Sequence, residues 1–347
     1  MDVLIITKIF TLATLSFAIA FLMTPALTRF LYRFKLGKQI RDSKSAPTVS
    51  RLHKSKSGTP TMGGILVWLT VLILALALRY GYKLFGWESF GYLDFLSRPQ
   101  TFLPLGVLVA SAIVGLVDDW FNVKRIGPHG GGLAMRHRLL IYMAIAMVGA
   151  WWFYSKLEWD LIHVPFIGNF NIGPWYIPLF IFIIVATSFS VNETDGLDGL
   201  AGGTLLAAFT AYAAIAFVQG KTDLASFCVV IAGALLAFLW FNINPARFFM
   251  GDTGAMSLGV TLGVIAMLTN TVFLLPLIGF VFMLESFSVI VQVISKKLRH
   301  GKKIFKAAPI HHHFEAIGWS EPKIVMRFWI ISAVTTLLGL ILFLIDK

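Results

Sequence analysis

Residues 102–119, FLPLGVLVASAIVGLVDD, run from Phe102 to Val117 without a charged side chain and then end in two adjacent acids, Asp118 and Asp119. A helix needs roughly 20 mostly apolar residues to cross a bilayer. A lipid-facing segment must be helical, because its backbone groups find no water to bond. Working outward, comparable runs fall at Leu4–Phe30, Met62–Arg79, Leu139–Tyr154, Trp175–Val191, Leu200–Val218, Ala225–Phe241, Gly254–Leu268, Val272–Ile294 and Val325–Ile345. The 347 residues are 57% hydrophobic and only 13% charged, whereas soluble domains average about a quarter charged. The pattern predicts an all-α integral membrane protein of about ten transmembrane helices. The remaining segments are too short to build a soluble core, so residues 1–347 read as a single polytopic membrane domain.

The formal charge of +12 has a distribution that explains it. Loops joining odd to even spans carry Arg33, Lys35, Lys38, Arg41, Lys44, Arg51, Lys54 and Lys56, then Lys124, Arg125, Arg136 and Arg138, then Arg247, and last Lys296, Lys297, Arg299, Lys302, Lys303, Lys306 and Lys323. The opposite loops carry little beyond Lys83, Arg98, Lys156 and Lys221. Lysine and arginine bias marks the cytoplasmic side, which puts both termini outside. Attraction to anionic headgroups, worth about 1 kcal/mol per residue near the surface, accounts for the basic loops without nucleic acid. The first apolar run reads as a retained helix, since it is long and lacks a small-residue cleavage site. Cys228, the single cysteine, falls in a span and offers neither a disulfide nor a cysteine-built metal site.

All the acidic and histidine clusters fall in the loops of that same basic side. Asp118-Asp119 suits metal coordination or a base tuned by its neighbour, although acids at a helix C-terminus oppose its dipole. In Asn192-Glu193-Thr194-Asp195-Gly196-Leu197-Asp198-Gly199, Asp195 and Asp198 can share a pocket or cap the sixth span. Asp252, in Phe249-Met250-Gly251-Asp252 behind Asn242 and Asn244, fits equally a cap and a magnesium ligand bridging phosphate oxygens. His311-His312-His313 follows Ala308-Pro309-Ile310; consecutive histidines do not make a zinc site, but imidazoles bond phosphate and exchange protons near neutral pH. Glu285 and Gln292 sit inside the ninth run, where ionisable groups face protein or a water-filled cavity. Gly58-Thr59-Pro60-Thr61-Met62-Gly63-Gly64 reads as a turn re-entering the membrane, and Val164–Ile172 alternates around Gly168-Asn169 like a small hairpin. No Walker A pattern occurs, so phosphate chemistry here draws on energy the substrate already carries.

Taken in order, the run from Gly58 to Gly64, Asp118-Asp119, Thr194 to Ala201, Phe249 to Asp252 and Pro309 to His313 resemble the polyprenyl-phosphate N-acetylhexosamine-1-phosphate transferase family. The loop with three histidines is similar to the branch that uses UDP-MurNAc-pentapeptide rather than a GlcNAc donor. The resemblance spans nearly the whole chain. It implies ten transmembrane helices, a homodimer in the bacterial inner membrane, and transfer of phospho-MurNAc-pentapeptide to undecaprenyl phosphate, yielding lipid I and UMP for peptidoglycan synthesis. It implies Mg2+ on Asp252, with Asp118 and Asp119 as further candidates, one of them a base or phosphate-side acid, and His311 as a catalytic group. It implies a nucleotide and substrate pocket of Lys56, Thr61, Asn192, Asp195, Gly196, Leu197, Asp198, Asn242, Phe249, Gln292, His311, His312 and His313. Glu193 departs from the family, which usually has leucine there; a carboxylate beside the pocket raises neighbouring pKa values. The competing readings are a sister transferase using UDP-GlcNAc and a transporter of a phosphorylated lipid. A transporter keeps its polar site near mid-bilayer, a depth that only Glu285 occupies.

Overall fold

The computed structural model describes residues 2–37, 56, 58–97, 100–128 and 131–347; Lys38, Arg41, Lys44, Arg51, Lys54 and Arg98 lie outside the described residues. The chain folds into helices α1 (Asp2–Arg33), α2 (Ile65–Phe85), α3 (Glu88–Leu93), α4 (Phe102–Val123) and α5 (Met135–Lys156), then strands β1 (Leu161–Val164) and β2 (Gly168–Asn171). There follow α6 (Tyr176–Thr194), α7 (Leu200–Val218), α8 (Thr222–Asn242), α9 (Gly251–Leu268), α10 (Leu275–Ile278), α11 (Phe280–Leu298), α12 (Ile310–Ala316) and α13 (Glu321–Ile345). Among the described residues nine helices are long and apolar enough to cross a membrane, or ten if one bent pair counts as a span.

Helix α9 is the axis of the bundle. Of its apolar window 94% is buried, against 17% for the first span and 28% for the last. It packs chiefly on α4 and α6. Its sequence explains the position, because Gly254, Ala255, Ser257, Gly259 and Gly263 let neighbouring backbones approach closely, the device that replaces hydrophobic attraction within a bilayer. The Thr253 hydroxyl donates to the Ala112 carbonyl at 2.8 Å, joining α9 to α4. At the rim, α1 and α13 expose Leu22, Met326 and Ile330, as a lipid-facing surface requires.

Three expectations need correction. The ninth run is not one straight span, since residues 272–278 and 280–298 meet at a bend of 84°. Gly279 stands at the corner and Pro276 lies just upstream, residues that break a helix through backbone freedom and a missing donor. The Thr336 hydroxyl of α13 donates to the Ile278 carbonyl at the break, at 3.2 Å. The third span does not stop at Asp118-Asp119 but continues to Val123, so both acids lie inside its last turns with partners described below. The histidine run is helical, within α12, rather than a loop. The hairpin is present, pairing Leu161 with Asn171 through Val164 with Gly168, although its turn precedes Gly168-Asn169 instead of containing it.

Candidate active site

The motifs of Gly58–Gly64, Asp118-Asp119, Asn192–Asp195 and Phe249–Asp252 share partners around the start of α9, and the histidine run packs beside them on Gly196. Gly251, Asp252 and Thr253 open that helix, and its first N–H groups need acceptors that the helix cannot supply. Asp195 Oδ2 accepts from the Gly251 N–H at 3.1 Å, and Asp119 Oδ2 accepts from the Thr253 N–H at 3.0 Å. Negative groups at a helix N-terminus are also favoured by its dipole. Gly251 has φ +74°, and a Cβ there would overlap Asp119 and Thr61, so glycine is required on both counts. Thr61 Oγ1, fully buried, donates to Asp119 Oδ1 at 3.0 Å. The segment from Gly58 to Gly64 is laid alongside, with Phe249 N–H donating to the Pro60 carbonyl and Gly63 and Gly64 donating to the carbonyls of Phe249 and Met250, each at 2.8 Å.

A second group of bonds centres on Arg138, in the first turn of α5. Its Nε lies 2.7 Å from Asp118 Oδ2, off the hydrogen-bond axis, which makes an ion pair. Its two terminal nitrogens reach Asp252 Oδ2 at 3.1 Å and Asn192 Oδ1 at 3.2 Å. Asn192 Nδ2 donates to the other Asp252 oxygen. Asp118 Oδ1 accepts from the Leu133 N–H at 2.5 Å. A cation therefore sits between the carboxylates of Asp118 and Asp252. In the sequence Arg138 reads only as an orienting charge, as Arg136 does.

A third group holds Lys56. The ammonium donates to Asp198 Oδ1 at 2.7 Å and Glu321 Oε1 at 2.5 Å and lies 5.8 Å from the centre of the Phe249 ring. Glu321, unassigned by sequence, also accepts from the Asp198 N–H at 2.6 Å, and Asn244 bridges Asp198 and Glu321 at 2.9 and 3.2 Å. Asp195 and Asp198 thus do not converge. One serves α9 and the other the Lys56 group, and neither caps α7, whose cap position is Gly199.

The histidines divide in the same way. His311 and Glu285 are both fully buried, with Nδ1 and Oε2 2.9 Å apart. Burial opposes a charge on the His311 ring, but Glu285, with Glu315 and Glu193 further out, outweighs it and raises the pKa above the ordinary histidine value. His312 pairs with Glu315 at 2.6 Å, while His313 Nδ1 turns away to accept from the Lys306 N–H at 3.1 Å. A Cβ on Gly196 would overlap the His311 ring. Several expected pocket residues also make contacts within the protein. Leu197 is buried with Leu200, Val281 and Phe328. Asn242 accepts from the Gly199 N–H and donates to the Phe248 carbonyl. Gln292 binds the backbone of Ile304 and Phe305.

Among the described residues no group of three or more His, Cys, Asp or Glu forms a ready metal cage. Magnesium seldom uses one, since it binds through one or two carboxylates, waters and substrate phosphate. Asp118 and Asp252, already sharing a cationic guanidinium, are oxygen donors that fit that requirement.

The fold is that of a polytopic membrane protein, and its relatives make it a transferase. Residues 101–270 match the family model described as Glycosyl transferase family 4, and residues 56–66 match the phospho-N-acetylmuramoyl-pentapeptide-transferase signature 1. The chain is 40% identical to a phospho-N-acetylmuramoyl-pentapeptide-transferase of Chloroflexus aurantiacus, over 96% of its own length and 89% of the relative's. It is 39% identical to that of a Geobacillus species (94% and 95% covered) and 40% identical to that of Shouchella clausii (94% of each). The chain belongs to the phospho-N-acetylmuramoyl-pentapeptide-transferase family.

Proposed function

We propose that the chain transfers phospho-MurNAc-pentapeptide from UDP-MurNAc-pentapeptide to undecaprenyl phosphate, giving lipid I and UMP, at the cytoplasmic face of a bacterial membrane. The observation that carries this reading is the convergence of Asp118, Asp119, Asp195 and Asp252 with Arg138 at one end of the bundle, where a lipid headgroup meets a soluble nucleotide. The lysine and arginine bias of the loops at that end supports a cytoplasmic placement. Two phosphate-bearing substrates bring several negative charges together, so the transition state needs cations placed in advance.

Asp252, with Asp118 opposite, would hold magnesium, and the ion would supply positive charge to the reacting phosphates. Asp119 has another task. Its two oxygens are engaged by Thr61 and the α9 N-terminus, so it fixes the direction in which Asp252 points. Arg138, and His311 in its protonated form, are cations available to the donor diphosphate. The acceptor is a phosphate monoester whose second pKa is about 6, so at neutral pH it is largely dianionic and needs orienting more than deprotonating. This favours direct attack of the lipid phosphate on the β-phosphorus, with UMP leaving, over a covalent aspartyl-phosphate. Purified protein in detergent, given both substrates and magnesium, is expected to release UMP and to do so far less with UDP-GlcNAc. Equal or faster release with UDP-GlcNAc would move the chain to the sister branch.

A further inference from the structure

We propose that Glu285 is a positioning residue for the transferase reaction: from inside the broken ninth span it orients His311 so that the ring's Nε2 faces the substrate phosphates at the turn of Asp195 and Gly196. This rests on the transferase reading and deepens it. A fully buried carboxylate in an apolar helix is expensive and calls for a partner. Glu285 has one, with Oε2 2.9 Å from His311 Nδ1. The far atoms of the pair are the informative ones. Glu285 Oε1 and His311 Nε2 are both buried without a hydrogen-bond partner. Buried polar atoms in that state are few in folded proteins and ask for an explanation. For Nε2 the place supplies one, since the ring abuts Gly196, where any side chain would overlap it, within the turn whose Asp195 holds the start of α9.

The chemistry follows from the ring. With Nδ1–H donated to Glu285, a neutral imidazole leaves a lone pair on Nε2, which repels phosphate oxygen, whereas a protonated ring donates from both nitrogens. The charged and titratable groups facing His311 are Glu285 from α11, Glu193 from the end of α6, and His312 and Glu315 from its own helix. The carboxylates all favour the protonated ring. The bend at Gly279 sets the direction of α11 and so brings Glu285 beneath α12. The arrangement resembles the carboxylate behind a catalytic histidine, which sets tautomer and orientation without touching substrate.

Glu285→Gln keeps the shape and removes the charge. Binding of UMP to the full-length protein in detergent is measured by calorimetry from mildly acidic to alkaline pH, alongside UMP release. In the wild type, affinity is expected to hold through the ordinary histidine value and fall at a pH above it. In E285Q that fall moves down by about one pH unit or more, equivalent to about tenfold weaker binding at a pH between the two steps. His311→Ala abolishes the step, and the E285Q/H311A double variant should bind and turn over within about twofold of H311A alone, because one residue acts through the other. An unchanged pH step in E285Q, or a double-variant loss equal to the product of the single losses, overturns the proposal. If E285Q does not purify folded, Glu285→Asp decides, since shortening the side chain breaks the contact, and an unshifted step there is equally fatal. Wild type that binds UMP but releases none from UDP-MurNAc-pentapeptide fails the transferase reading while the binding step still judges Glu285. Wild type that binds no UMP overturns both.

Discussion

Replacing Arg138 with glutamine tests whether its guanidinium and a metal ion serve the same carboxylates. Arg138 is 17% exposed, Asp118 4% and Asp252 18%, so the substitution leaves two largely buried acids facing each other with no cation between them. Removing one partner of a buried ion pair costs about 3–5 kcal/mol; partial exposure of Asp252 argues for the lower end, about 3 kcal/mol, after solvent screening. A ligand that binds only the folded state stabilises it by about 2.7 kcal/mol at a hundredfold excess over Kd. Magnesium in excess should therefore return most of what the substitution removes. The assay is thermal unfolding of the detergent-purified protein by intrinsic tryptophan fluorescence, in chelator and in excess magnesium. The wild type should gain modestly from magnesium, because the ion competes with a resident cation. Arg138→Gln should melt several degrees lower in chelator and show a clearly larger gain. Equal gains in the two proteins would refute the shared-carboxylate reasoning, as would an R138Q protein as stable as wild type in chelator.

Asp252→Asn should leave the protein folded and cut UMP release more than tenfold, a loss of about 1.4 kcal/mol or more in transition-state stabilisation; a variant retaining over a tenth of the rate removes Asp252 from the metal role. Radiolabelled UMP should not exchange into UDP-MurNAc-pentapeptide without lipid, and lipid-independent exchange lost in Asp118→Asn or Asp119→Asn would establish the covalent route. In intact cells a cysteine at Glu88 should react with an impermeant thiol reagent and one at Ser320 should not; labelling at Ser320 inverts the topology. At the opposite end, His163 Nε2 meets Asp346 Oδ2 at 2.5 Å. The hydrogen bond that the His163 ring donates to Asp346 raises the His163 pKa, and the same bond lowers that of Asp346. The histidine's contribution is full below its unfolded pKa, about 6.5, and is lost as pH rises through the raised value. The aspartate's is full above its unfolded pKa, about 3.9, and is lost as pH falls through the lowered value. Amide exchange in Leu161–Asn171 should be slowest between these limits and accelerate on alkalinisation beyond the intrinsic pH effect; no such acceleration would discount the latch.

Apolar runs made the spans readable because lipid leaves a backbone few choices. The acidic and histidine clusters marked one end of the bundle because polar residues are costly there without partners. Pairings were another matter. Arg138 and Arg136 look alike in sequence, and only packing distinguishes a guanidinium between two aspartates from one left exposed. Glu321 reads as an ordinary first-turn acid until Lys56, distant in sequence, is brought to it. Glu285 was conspicuous, yet nothing in the chain named His311 as its partner. Pro276 and Gly279 did signal a break, but strong hydropathy on both sides masked it.

The start of α9 is gripped from α4 by Asp119, from the turn after α6 by Asp195, and by the segment leading into α2. A carrier that exposes its cargo alternately to the two sides must let such elements part in every cycle. Here separation would strand several buried donors and acceptors at once, each at a cost of about 1–3 kcal/mol. Asp252 thus sits on a fixed anvil, and the energetics of that grip argue against a moving gate.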